Sequence, residues 1–151
     1  MPGETSLSTL LTTLKLSLDP RTFVFLTVPP TSNPSSLPIP FNDIHMLFRE
    51  KQGITIITTV DVAESHGFRV GDENCFYKSK MITLDVHSSL EAVGFMSVIS
   101  KKLADEGVNS NPVSAFYHDH LFVKEGEEER AMKVLEELGS EVREVEAEES
   151  R

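Results

Sequence analysis

Cysteine is almost missing from this chain: Cys75 is the only one in 151 residues, so no internal disulfide can form. Long apolar runs are missing too, and none approaches the roughly 20 residues a membrane helix needs. The opening MPGETSLSTLL has neither the basic start nor the long apolar segment of a secretory signal. Together these absences make the cytoplasm the expected location, with no membrane partner. Basic clusters are absent as well. Fourteen Lys and Arg stand against 24 Asp and Glu, a net charge of −10. Electrostatic binding of nucleic acid needs a basic face, so nucleic acid is not an expected partner. The sequence also lacks HExxH, a Cys/His set, GxSxG, GxGxxG and a phosphate-binding loop. No cofactor, no metal and no enzymatic activity are expected.

What is present is enough apolar residues, 39%, to bury a core. The acidity is concentrated: residues 125–151 hold eleven Glu against four Lys or Arg. Such a run reads as a solvated helix face and tail. SLSTLLTTLKLSL places Leu7, Leu10, Leu11, Leu14 and Leu18 on one stripe and predicts a helix capped by Thr5 or Ser6. TFVFLTVP, residues 22–29, predicts a strand. Residues 29–40 hold five of the eight prolines and read as an exposed loop. Residues 43–50, with Ile44, Met46 and Phe48 on one face, and residues 53–60 predict a hairpin around Lys51-Gln52-Gly53. DVAESHGF predicts a short helix ending at Gly67. GDENCFYKSK, with its turn residues and charge, marks the boundary between halves.

The second half is more regular. MITLDV, residues 81–86, predicts a strand. HSSLEAVGFMSVISKKLADEG predicts a helix with Ala92, Phe95, Met96, Ile99, Leu103 and Ala104 inward. Ser88-x-x-Glu91 fits a capping box at its start, and Gly107 fits its stop. VSAFYHDHLFV supplies two strands with a turn near His118-Asp119, or one bent strand. EEERAMKVLEEL predicts a helix burying Ala131, Val134, Leu135 and Leu138. EVREVE, alternating Val142 and Val145, predicts a last strand. The order β-α-β-β-α-β is that of the ferredoxin-like sandwich, an α+β class with helices on one face of an antiparallel sheet. The first half repeats part of it: strand, hairpin, short helix, strand.

YHDH, residues 117–120, gathers residue types that bind metals or move protons. On a strand, His118 and His120 share one side and Asp119 the other. Zinc usually takes four ligands; His87 is the one other histidine at a plausible strand end, and His45 and His66 lie in the other half at no signature spacing. Pairing of these histidines with backbone or carboxylate at a strand end is the simpler account. Cys75 has no helix start or basic neighbour to activate it.

One segment nominates a binding site. VHSSLEAVGF, residues 86–95, leads from strand to helix, where unpaired N–H groups carry partial positive charge. Ser88 and Ser89 add hydroxyls, and a carboxylate fits there without a cationic side chain. Glu91 and Asp119 offer partners to an ammonium, so the two ends of a free amino acid have candidate holders. Read from the residues alone, Ser88 as a plain helix cap is the simpler alternative.

MITLDVHSSLEAVGF followed by NPVSAFYHDHLFV resembles the second repeat of the small tandem ACT-like proteins. GETSLSTLL, TFVFLTV and FREKQGITII resemble the first repeat. The same tandem unit resembles half of the cytosolic arginine sensors that report to the TOR kinase pathway. The resemblance implies two ferredoxin-like ACT-type domains, at residues 1–72, including the Pro-rich loop 29–40, and 73–146, with an acidic tail at 147–151. It implies a non-enzymatic regulator binding an amino acid at the loop after the first strand of the repeat: His87, Ser88, Ser89, Leu90, Glu91, Ala92, Val93 and Gly94, with Asp119 nearby. Gly94 falls in the first helical turn, where a side chain would block a ligand or partner. A homodimer or a signalling protein partner is expected, and the alternative is a ligand-free interaction module on the same fold. The Pro-rich loop and the Glu-rich tail extend beyond the family pattern.

Overall fold

A computed structural model describes residues 3–151. In chain order the elements are α1 (Leu7–Thr12), β1 (Leu16–Leu18), β2 (Phe23–Val28), β3 (Met46–Arg49), β4 (Ile54–Thr59), α2 (Val60–Ser65), β5 (Cys75–Leu84), α3 (Phe95–Asp105), β6 (Ser110–Ser114), β7 (Asp119–Lys124) and α4 (Glu128–Glu149). By compactness one unit is Arg21–Ser79. The other joins the described residues up to Pro20 with Lys80–Arg151.

In the unit of residues 21–79 the strand order is β3-β4-β2-β5, the last being the first half of that long strand. All three pairings are antiparallel. Val24, Leu26, Val28, Ile54 and Ile56 alternate onto one face and bury there with Ala63 and Cys75. The β3–β4 hairpin forms as the turn residues dictate, closed by Glu50 N–H donating to Gly53 O at 2.9 Å. Its inward face differs from expectation. Leu47, with Ile44 from outside the strand, packs on the core, while Phe48 is 62% exposed. Ile44 precedes the strand, so strand alternation does not extend to it. The Pro-rich segment takes two short 3-10 turns, Pro34–Ser36 and Phe41–Asp43, and it is not wholly exposed. Ile39 is buried in this core. Pairing of β2 with β5 slips by one residue between Phe23 and Phe25, at a bulge beside Tyr77, whose φ is 69°.

In the other unit the order is β1-β5-β7-β6, with β1 and β6 antiparallel to their neighbours. Leu10 and Leu11 of α1, Ile82 and Leu84 of β5, Phe95, Ile99 and Leu103 of α3 and Ala131, Val134, Leu135 and Leu138 of α4 make its core. The expected inward faces of α3 and α4 hold, except that Ala104 is exposed.

Four expectations are corrected. The expected leucine helix stops at Thr12, Ser6 caps it, and Leu16–Leu18 is a strand. Residues 75–80, read as a turn-rich boundary, are strand. The helix expected from Ser88 begins at Phe95. EVREVE is helix: α4 runs on for 22 residues to Glu149. Two valines three apart share a helix face but fall on opposite faces of a strand, so their spacing fits a helix, and the Glu-rich flanks favour helix as well. The sheet position a last strand would take, beside β5, is occupied by β1 from the start of the chain.

Candidate functional site

The loop 85–94 is built from tight backbone bonds. Val86 N–H donates to Leu84 O at 2.8 Å and Ser88 N–H to Val86 O at 2.9 Å, so the chain turns sharply as it leaves β5. Ser89 then accepts twice, from Glu91 N–H at its hydroxyl (3.1 Å) and from Ala92 N–H at its carbonyl (3.0 Å). The turn ends at Gly94, whose φ of 89° is the left-handed conformation that glycine takes at no steric cost. Gly94 is also the N-cap of α3 and provides no side-chain bond to its free amides. The helix start is therefore left open to an outside acceptor.

Ser88 does not cap α3. Its hydroxyl donates to Asp119 Oδ2 at 2.9 Å, and both residues are only 6% exposed. This bond ties the loop to the first residue of β7. The start of the chain ties it from the other side. Glu4 N–H donates to His87 O at 2.7 Å and Ser89 N–H donates to Glu4 O at 2.8 Å, a parallel bridge across Ser88. The Glu4 carboxylate meanwhile accepts from Thr5 N–H (2.8 Å) and Ser6 N–H (2.7 Å). Gly3 allows this approach: a Cβ there would lie 2.6 Å from Ser89 N and 2.7 Å from His87 O.

Loop, helix start and β6 end enclose a cleft of about 220 Å³. Of the residues expected at the site, Ser88, Ser89, Leu90, Ala92, Gly94 and Asp119 line it. His87, Glu91 and Val93 do not. The His87 ring stands 5.6 Å from Tyr117, and Val93 is 84% exposed. Phe95, Met96, Ser97, Ser114 and Ala115 line the cleft and were not anticipated. The first three follow from the later helix start. Ser114 and Ala115 are small residues just ahead of YHDH, and only the β6–β7 pairing brings them in. Leu90, Val93, Phe116 and Tyr117 belong to the loops that shape the cleft and are all more than half exposed.

The histidines of YHDH have local partners. His118 Nδ1 lies 3.1 Å from Val86 O, and its Nε2 lies 3.7 Å from Asp85 Oδ1. His120 Nδ1 lies 2.9 Å from Thr83 Oγ1. Burial, then the neighbouring His118 charge, lowers the His120 pKa, with Asp119 opposing. Among the described residues no three His, Cys, Asp or Glu stand where they would hold a metal. Burial, with Asp72 and Glu64 adding to it, raises the Cys75 thiol pKa, which keeps it protonated and a poor nucleophile. No helix among the described residues is long and apolar enough to cross a membrane.

Antiparallel strands with helices packed on them in each unit give an α+β, ferredoxin-like architecture. The chain belongs to the ACT-domain family: ACT-domain models match residues 2–73 and 77–137. A Vibrio cholerae protein of unknown function, described as a possible transport protein, is 30% identical with a TM-score of 0.74. The match covers 89% of this chain and 97% of that one. An Agobacterium tumefaciens protein superposes with a TM-score of 0.64 at 16% identity, covering 83% of this chain and 89% of that one. The structure of aspartokinase alpha and beta subunits shares the fold, with a TM-score of 0.57 at 12% identity over 82% and 95% of the two chains. None of the curated proteins compared matches the chain.

Proposed function

We propose that this protein is a non-enzymatic, cytoplasmic regulator that binds a free amino acid in the cleft between the loop 87–94 and β6. The observation that carries this reading is the start of α3, which lacks a side-chain cap and opens on a cleft that Asp119 also lines. The ligand carboxylate takes the helix amides, and its ammonium takes the carboxylate side. Ser89 and Ser97 offer hydroxyls between them. A second copy closing over Leu90, Val93, Phe116 and Tyr117 would shield the ligand and make binding favour one assembly over another. The two repeats are proposed at residues 1–72 and 73–146.

The test is a thermal-melt screen against the twenty amino acids at millimolar concentration. Ligand at a hundredfold excess over Kd adds about 2.7 kcal/mol. For a chain of this size that raises Tm by roughly 5–10 °C. The shift should vanish in Ser89→Ala and in Ala115→Leu, which fills the cleft. A cooperative melt that no amino acid moves would overturn the reading. It would favour the second one, a ligand-free interaction module that uses the exposed apolar ring of Leu90, Val93, Phe116 and Tyr117 directly.

A further inference from the structure

We propose that the groove between α1 and the C-terminal half of α4 is a docking site for a basic amphipathic helix of a partner protein. Leu7 and Leu11 from α1 and Val142 and Val145 from α4 form an apolar floor in an open groove of about 600 Å³. Val145 is 53% exposed on a helix that is otherwise strongly polar in this region. Leu7 and Leu11, one turn apart on α1, and Val142 and Val145, one turn apart on α4, put the apolar side chains of both helices on the same groove, a floor that can take the apolar face of an amphipathic helix.

The rim states the charge of the occupant. Glu141, Glu146 and Glu149 flank the floor. Lys102 reaches Glu141 at 3.5 Å, and the Ser8 hydroxyl bonds Glu146. The last turn of α4 has no basic residue, although its carbonyl end carries partial negative charge, and glutamates crowd that end. Lysines or arginines from outside would relieve both the like-charge crowding and the unfavourable dipole. A second copy is disfavoured, because a twofold contact would set the same acidic rim against itself. An anionic membrane surface is disfavoured by the same charge.

The groove is separate from the amino-acid cleft, so the proposal stands or falls on its own readout. The full chain is titrated into a labelled Leu/Lys amphipathic helix of about 18 residues and followed by fluorescence anisotropy. Two controls are a scrambled peptide of the same composition and a Leu/Glu version. The cationic amphipathic peptide should bind, with affinity falling as salt rises, and the Leu/Glu version should not. Val145→Asp and, separately, Glu146→Lys should weaken binding by about tenfold or more. Val145 is exposed enough for its variant to fold, which a melt checks. Equal binding of the scrambled peptide, full binding by Val145→Asp, or no binding at low salt would overturn the proposal. So would sedimentation showing a dimer of this chain that Val145→Asp dissolves.

Discussion

Ser88 illustrates how one side chain takes a different partner from the one its neighbours in sequence suggest. Three residues from Glu91, it fits a capping box. In the fold its hydroxyl is turned inward to Asp119, because the backbone of residues 84–88 turns away from the helix first. Removing that hydroxyl leaves a buried carboxylate without its donor. Ser88→Ala should therefore lower stability by roughly 1–3 kcal/mol in urea melts. The double variant with Asp119→Ala should lose less than the sum of the two singles, and strict additivity would show that the pair does not interact. His120 makes a pH prediction. Its folded-state pKa is pushed below the ordinary 6.5 by burial first, then by His118, with Asp119 opposing and Asp85 beyond His118. Between 6.5 and the lower folded value the unfolded chain binds more protons. Stability is therefore present in full above about pH 6.5 and declines as the pH falls through that window. Denaturant midpoints taken from pH 7.5 to 5 should show the decline, and His120→Gln should flatten it. Neither partner of these side chains was legible in the sequence, since both pairs join residues more than 30 positions apart.

Among the elements, the helix α2, the first half of α4 and the strands β2 and β4 were readable because their residue patterns agree with their final environments. The elements that were misread are those judged on a few residues without their surroundings. The valines of EVREVE are three apart, which is helical spacing, and the β1–β5 pairing leaves no place for another strand at that edge. The start of α3 was misplaced by seven residues because a serine-rich turn looks like a cap until its bonds are known. That shift changes the lining of the cleft, since it brings in Phe95, Met96 and Ser97 and leaves Glu91 out. The N-terminal leader is part of the same device. Gly3→Ala would drive a methyl into the backbone of Ser88 and Ser89 and break the Glu4 bridge. Faster hydrogen exchange at the Ser89 amide, with the amides of α4 unchanged, is the expected result. Unchanged exchange at Ser89 would mean that the leader does not hold the loop.

At the scale of the molecule, residues 3–20 complete a fold whose main body lies about sixty residues further on. Leu10 is 1% exposed amid Ile82, Leu84, Ile99 and Leu135. Leu10→Ala should cost about 2–5 kcal/mol, as a core deletion does. Deleting residues 3–18 should do more, because it also strips β1 from β5 and exposes a sheet edge. Loss of a cooperative melt together with aggregation on gel filtration is the expected outcome, and a monomer melting as sharply as the full chain would contradict it. What the sequence by itself determined is the set of parts: an acidic α+β chain with one cysteine, repeated strand-hairpin-helix order, two amphipathic helices and a strand-end loop. Those follow from periodicity and local backbone preference, which act within a few residues. Which strand closes each sheet, which residues line the cleft and where Ser88 and the histidines find their partners were decided only by tertiary structure. Edge pairing and buried hydrogen bonds join residues far apart in the chain, and local pattern carries no information about them.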